Sequence, residues 1–233
     1  MSARHLRTVA VLGLTCVVAA SGVADAARKP KPKPIPPVCN LITDPAGNAY
    51  AFDPGSPVPP QGATDELDVL SADVATDGKN LTTVIRVKKA GTSSTTAPTG
   101  MQWQFGFTNQ GVIFSTSVSS SPTGGLTGIW AVRTTASNTI SGTVTPVIDT
   151  TANEIRATVP LADLAAKASF VPGHKLESLT VTTAGAVIVP DPSGHTLTKY
   201  GTLATLQNPV SGQSITGSRD YIIGSPSCVA VGK

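Results

Sequence analysis

Apolar and polar residues alternate along much of this chain, which is the pattern of β-strands that bury one face. The clearest example is "MQWQFGFT" at 101–108, in which Met101, Trp103, Phe105 and Phe107 all fall on one face. The residues between them are polar or glycine and fall on the other face. This stretch therefore predicts a half-buried strand whose four apolar side chains lie in the core.

Turn residues divide this pattern into short strands. "TDGKN" separates strands at 67–75 and 81–89, and "NQG" separates strands at 101–108 and 111–118, so each pair predicts a hairpin. Further strands are expected at 126–135, 139–148, 153–160, 176–189 and 218–224. The stretch from Val159 to Ala168 has apolar residues at helical spacing and begins with Pro160, so it predicts one connecting helix.

Many short strands with turns between them indicate an all-β fold, either an antiparallel sandwich or a barrel. We expect an antiparallel β-sandwich, jelly-roll-like, with one short connecting helix. A chain of 233 residues can bury a sizeable core without many disulfides. We therefore expect one domain over 39–233, preceded by a signal peptide at 1–26 and a Lys/Pro-rich polyproline linker at 27–38.

The first 26 residues have the three parts of a secretory signal peptide. Arg4 and Arg7 are basic, Thr8 to Ala20 is apolar, and the small-x-small pattern that ends at Ala26 suits cleavage there. The apolar run is shorter than the roughly 20 residues that cross a bilayer, and no later segment reaches that length. We expect a secreted, extracellular protein that does not span a membrane.

The cysteines point to one disulfide. The chain has three cysteines, and cleavage after Ala26 removes Cys16, which leaves Cys39 and Cys228. Secretion favours oxidation, so a bridge between the two ends of the domain is expected. The alternative is a pair of free thiols at a redox or metal site.

Charge argues against nucleic acid as the main partner. The net charge is +3, but four cations lie in the linker, so the predicted domain is close to neutral. These four are Arg28, Lys29, Lys31 and Lys33.

Carboxylates are concentrated in the first part of the domain, and no Lys or Arg lies between Asp44 and Asp77. Crowded carboxylates repel one another unless water or a cation stabilises them, and Ca²⁺ accepts six to eight oxygen ligands in flexible geometry. The candidate ligands for a structural Ca²⁺ are Asp44, Asp53, Asp65 and Asp68. The alternative is that these aspartates form turns and protect strand edges.

No pattern selects catalysis. The chain lacks a Gly-x-Ser-x-Gly elbow and a His-Glu-x-x-His motif, and His174 and His195 lie in Gly/Pro-rich loops. Aromatic residues are better candidates for ligand contact, because sugar rings stack on exposed aromatic faces. Tyr50 and Tyr221 lie near predicted strand ends, and Trp130 can face either the core or the surface.

The start of the predicted domain resembles a known family. "DPAGNA" at 44–49, followed by "LDVLSADVATDGKNLTTVIRV" at 67–87, is similar to the opening of DOMON-like β-sandwich modules, which include family 9 carbohydrate-binding modules. Asn48 stands where a second Asp is common in that opening. The resemblance implies an extracellular, jelly-roll-like sandwich that binds sugars or, as in some members of the group, haem.

These observations favour a secreted, non-catalytic module that binds an extracellular polysaccharide or cell-wall polymer, with a possible structural Ca²⁺. The first alternative is a structural or adhesion protein that binds protein partners through an exposed sheet edge. The second alternative is a small secreted hydrolase whose site the sequence does not reveal.

Overall fold

The computed structural model describes residues 36–47, 65–93, 100–121, 123–134, 137–190, 196–200 and 219–229. These residues belong to one compact unit, Ile35–Lys233. The predicted signal peptide and most of the Lys/Pro-rich linker lie outside the described residues, as do Tyr50 and Asp53.

Strands make up most of the described chain. They are β1 (Ile42–Thr43), β2 (Val69–Thr76), β3 (Asn80–Val87), β4 (Met101–Asn109), β5 (Val112–Ser120), β6 (Leu126–Thr134), β7 (Ser137–Thr143), β8 (Thr145–Asp149), β9 (Glu154–Pro160), β10 (Lys175–Pro190), β11 (Thr196–Tyr200) and β12 (Tyr221–Ile222). The helix α1 covers Leu161–Ala165.

The strands form two antiparallel sheets. The smaller sheet has the order β1-β2-β3-β9-β8, and the larger has the order β11-β10-β4-β5-β6-β7 with β12 paired to β10. This arrangement confirms the predicted all-β, antiparallel, sandwich-like class. The jelly-roll connectivity stays a prediction.

One continuous core lies between the two sheets. The alternation predicted for β4 is confirmed, because Trp103, Phe105 and Phe107 are each at most 2% exposed. Even the polar groups in this layer pair across it: the hydroxyls of Thr83 on β3 and Thr116 on β5 lie 2.8 Å apart. The layer is therefore packed from both sides.

Both predicted hairpins form, and their turn residues explain why. Between β4 and β5 the chain reverses at Gln110 and Gly111, whose φ angles are 51° and 78°. Two successive left-handed residues match the twist of a hairpin, and glycine adopts this conformation at little cost. Between β2 and β3, Asp77 Oδ1 accepts hydrogen bonds from the backbone N–H groups of Lys79 and Asn80.

The strand predicted at 139–148 is wrong as a single element. It divides at Val144 into β7 of the larger sheet and β8 of the smaller sheet. Val144 N donates to Gly128 O at 3.2 Å, and a Cβ on Gly128 would meet Val144 Cγ2 at 2.3 Å. The absence of a side chain at Gly128 lets the chain cross from one sheet to the other here.

The helix is shorter than the predicted Val159–Ala168. Val159 and Pro160 still pair with β3, and Leu161 N donates to Lys79 O, so the helix begins only at Leu161. The strand predicted at 218–224 is also shorter, since only β12 pairs there.

The ends of the domain are joined as predicted. A disulfide links Cys39 and Cys228 across 189 positions, with their Cα atoms 5.3 Å apart. Beside it, Val38 N donates to Pro226 O at 3.0 Å. Closing so long a loop stabilises the folded state by up to about 5 kcal/mol in the chain-entropy model. Among the described residues, no helix is both long and apolar enough to cross a membrane.

Candidate functional site

The outer face of the larger sheet carries an open pocket, which we call the outer-face pocket. It crosses β10, β4, β5 and β6 and has a volume of about 540 Å³. The side chains that line it project from alternate positions of these four strands. They are Gln102, Gln104, Ile113, Ser115, Ser117, Ile129, Ala131, Arg133, Thr180 and Thr182.

The strand register places these residues in rows that run across the sheet. The central row is Thr180, Gly106, Ser115 and Ala131, each paired with the next. All four are small, and strands lie about 4.8 Å apart, so this row is a shallow floor about 14 Å long. Gly106 is essential to it, because a Cβ there would lie 2.5 Å from Thr180 Oγ1.

Two rows that include longer side chains, such as Gln104 and Arg133, border the floor on its two sides. One bordering row is Thr182, Gln104, Ser117 and Ile129, and the other is Thr108, Ile113 and Arg133. The amides and hydroxyls can each donate and accept hydrogen bonds, while Ile113, which is 45% exposed, offers an apolar contact. The pocket therefore combines hydrogen-bonding groups with apolar surface in one trough.

Among the described residues that line the pocket, Arg133 is the only charged one. It is exposed at the end of a bordering row, and the structure records no hydrogen bond or ion pair for it within the described chain. The described lining contains no carboxylate, so among these residues the guanidinium of Arg133 sets the electrostatic character of the trough.

The outer face of the smaller sheet contrasts with this pocket. Arg86 donates from Nη1 to Asp73 Oδ2 at 2.5 Å and from Nε to Glu154 Oε1 at 2.8 Å. Arg156 donates to the second oxygen of Glu154. We call these four residues the Arg86 network. Both arginines of this network form ion pairs with carboxylates of the same sheet.

The aromatic residues predicted to contact a ligand do not lie at this pocket. Trp130 is 3% exposed and Tyr221 is 1% exposed, so both belong to the core. The prediction that Tyr221 is an exposed aromatic residue available to a ligand is wrong. Trp130, for which the sequence allowed either a core or a surface position, lies in the core. Tyr50 lies outside the described residues. Every aromatic side chain whose exposure the structure gives is buried.

Specific contacts explain both burials. The Tyr221 hydroxyl accepts from Thr76 N at 3.2 Å and lies 3.2 Å from Ser225 O, to which it donates, so it joins β12 to the end of β2. Trp130 fits because its neighbour in β7 is Gly142, where a Cβ would lie 2.4 Å from the indole nitrogen. Thr76 lies 145 positions from Tyr221 along the chain, which is why local sequence could not reveal the burial of Tyr221.

The predicted calcium ligands are only partly brought together. The turn after Asp44 meets Asp68, whose Oδ2 accepts from Gly47 N at 2.7 Å. Asp65 instead pairs with Lys88 Nζ at 2.7 Å, and this hydrogen bond and the Asp65 charge raise the pKa of Lys88. Asp53 lies outside the described residues. Within the described ranges, no three His, Cys, Asp or Glu side chains form a group that could hold a metal ion.

His174 is not among the described residues that line the outer-face pocket, and its Nδ1 lies 3.1 Å from the backbone oxygen of Ser169. His195 lies outside the described residues. The pocket lining contains hydroxyls, amides and one guanidinium. Such groups bind and orient a ligand, and the described lining offers no carboxylate or imidazole for general acid–base chemistry.

Sequence reasoning missed the outer-face pocket. The alternation in β4 did place Gln102 and Gln104 on the face opposite the core, so the polarity of this surface was visible. The missing information was the register that aligns Thr180 with Gly106 across two strands far apart in sequence.

Comparison with known proteins finds no matching family model, no significantly similar curated protein and no significantly similar solved structure. The resemblance to DOMON-like modules therefore stays a prediction.

Proposed function

We propose that this chain is a secreted, non-catalytic binding module for an extracellular polysaccharide or cell-wall polymer. The observation that carries this proposal is the outer-face pocket, an elongated polar trough with a glycine at its centre. A polysaccharide is a chain of sugar rings that carry hydroxyl groups, each of which both donates and accepts hydrogen bonds. Gln104, Ser117 and Thr182 offer the same two capacities in one row.

The trough suits an extended ligand better than a compact one. Its lining crosses four strands, so it offers an elongated surface along which a linear polymer can lie. The DOMON-like resemblance at 44–87 agrees with a sugar ligand, although recognition here relies on hydrogen bonds and on Ile113 and Ile129 rather than on stacked aromatic rings.

Secretion is supported by two features. The first 26 residues have the basic, apolar and small-residue pattern of a signal peptide. The disulfide between Cys39 and Cys228 is of the kind that persists in oxidising compartments. A direct check is to express the whole chain with its native N-terminus and sequence the N-terminus of the released protein.

Binding is tested by pull-down on insoluble polysaccharides and by a glycan array, with the mature protein and two pocket variants. Gln104→Ala removes hydrogen-bonding groups from the border of the floor, and Gly106→Ala places a methyl group against Thr180. Gln104→Ala should weaken binding about tenfold, since one or two hydrogen bonds at about 1 kcal/mol each are lost. Gly106→Ala should also weaken binding, because the added methyl group displaces the side chain of Thr180 at the floor of the pocket.

Thr145→Ala is the matched control, because Thr145 is an exposed strand residue of the smaller sheet. It should bind as the unmodified protein does. If no polysaccharide is retained, or if Gln104→Ala and Thr145→Ala bind equally, the outer-face pocket is not a glycan site.

We also propose that Ca²⁺ stabilises the turn that precedes β2. The support is Asp68, which is fully buried and whose Oδ1 has no hydrogen-bond partner among the described residues. A buried carboxylate is costly unless a cation or a proton neutralises it. Ca²⁺ at one hundred times its dissociation constant should add about 2.7 kcal/mol, which is measured as a higher melting temperature. A melt unchanged by Ca²⁺ and by chelator contradicts this.

A further inference from the structure

We propose that the outer-face pocket selects polysaccharides that carry oxyanion groups, which Arg133 binds. This inference rests on the proposed glycan-binding function and adds the chemical class of the ligand. The groups concerned are carboxylate, sulfate and phosphate, because a guanidinium fork matches all of them with paired hydrogen bonds.

The first support is the state of Arg133 compared with the other arginines of the sheets. Arg86 and Arg156 are engaged by carboxylates within the smaller sheet. Arg133 is exposed at the pocket and has no recorded hydrogen bond or ion pair in the described part of the chain. Its donors are therefore available to a ligand without breaking an existing contact.

The second support is the distribution of acidic residues on the same face. Strands β6 and β7 contain no Asp or Glu. Glu177 is exposed and follows Thr108, Ile113 and Arg133 across the sheet, so three strand spacings separate it from Arg133. That is about 14 Å, which exceeds the screening length of about 8 Å at physiological ionic strength. The positive potential at Arg133 is therefore not cancelled by Glu177.

The third support is the surface beside Arg133. Ile113 pairs directly with Arg133 across β5 and β6 and is 45% exposed. A sugar ring that carries an oxyanion can rest its apolar face on Ile113 while the oxyanion meets the guanidinium. Its remaining hydroxyls then lie over Ser115 and the floor of the trough. Arg133 thus supplies the charge selection, and the neutral side chains supply contacts common to all polysaccharides.

The experiment compares pairs of polymers that differ only in charge. Polygalacturonate is compared with its methyl ester, and dextran sulfate and dextran phosphate with dextran, by calorimetry or biolayer interferometry at 20 and 300 mM salt. The acidic member of at least one pair should bind about tenfold more tightly at low salt, and this preference should shrink at high salt. The three pairs distinguish carboxylate, sulfate and phosphate as the source of the oxyanion.

Arg133→Gln should remove the preference for the acidic member of each pair, and Arg133→Lys should keep part of it. Lys79→Gln removes one exposed charge in the turn between β2 and β3 and should keep the full preference, which controls for general charge attraction. Circular dichroism and thermal midpoints establish that each variant folds.

Two outcomes overturn the inference. Equal affinity for the charged and neutral members, or a preference that survives in Arg133→Gln, shows that Arg133 does not select oxyanions while glycan binding itself stands. Absence of binding to every polymer overturns both the inference and the proposed function.

Discussion

The outer faces of the two sheets use their charges differently. On the smaller sheet, the Arg86 network satisfies its arginines with its own carboxylates. On the larger sheet, the outer-face pocket presents Arg133 without a partner from the described residues. A charge satisfied within the fold contributes to structure, whereas an exposed charge beside hydrogen-bonding groups is free to contribute to recognition. The smaller sheet therefore satisfies its charges within the fold, whereas the larger sheet presents the charge that the proposed function assigns to ligand binding.

Burial makes the charges of the smaller sheet depend on one another. Asp73 is fully buried, and its other oxygen accepts from Leu41 N at 3.0 Å, so it also fixes the segment before β1. Burial on its own lowers the pKa of Arg86, but the hydrogen bond and charge of Asp73, followed by those of Glu154, outweigh it and raise this pKa. Arg86 thus stays charged, and Asp73 depends on that charge.

The largest expected effect comes from removing the centre of the Arg86 network. Arg86→Met keeps much of the side-chain volume but leaves Asp73 buried without its cation. We expect the free energy of unfolding to fall by about 3–5 kcal/mol, the usual cost of removing one partner of a buried pair. Urea unfolding monitored by tryptophan fluorescence measures this loss.

Arg133→Gln is the matched control for this experiment, since it removes an arginine from the other outer face. It should change the unfolding free energy by less than about 0.5 kcal/mol, as exposed substitutions usually do. A similar loss of unfolding free energy in Arg86→Met and Arg133→Gln would contradict the proposed difference between the two outer faces.

The sequence patterns predicted the structural features that depend on residues close together in the chain or on a covalent bond. Alternation identified the buried face of β4, and the turn residues at Gln110 and Gly111 located its hairpin. The Cys39–Cys228 bridge followed from there being one possible partner after signal cleavage. In each case the deciding interaction is local or covalent, so a single sequence contains the information.

The failures share one physical cause, which is dependence on distant segments. The apolar pattern continues through Val144, so the change of sheet shows only in its contact with Gly128. Tyr221 is buried because Thr76, far away in sequence, meets its hydroxyl. The floor of the outer-face pocket likewise requires Thr180 to align with Gly106. Alternation could predict that Arg133 points outward, but not that it borders a trough.

The smallest expected effect is a difference between the hairpins of the two sheets in how their contribution to stability depends on pH. The turn between β2 and β3 depends on Asp77, whereas the Gln110–Gly111 turn between β4 and β5 contains no carboxylate. The hydrogen bonds from Asn80 N and Lys79 N lower the pKa of Asp77 below its usual value of 3.8. A lowered pKa in the folded state means that the carboxylate binds its proton more weakly there than in the unfolded chain.

Asp77 therefore contributes stability that is fully present above about pH 4 and is lost as the pH falls through its lowered folded value. Asp77→Ala should reduce the unfolding free energy at pH 7 by less than about 1 kcal/mol, because the group is exposed and screened. It should also flatten the decline in stability between pH 4 and the acid limit of folding, measured by urea midpoints at a series of pH values.

Gln110→Ala, in the turn of the other sheet, should leave that decline unchanged. If Asp77→Ala and the unmodified protein lose stability in parallel as the solution is acidified, the carboxylates that cause acid unfolding lie elsewhere, and the buried members of the Arg86 network become the first to examine.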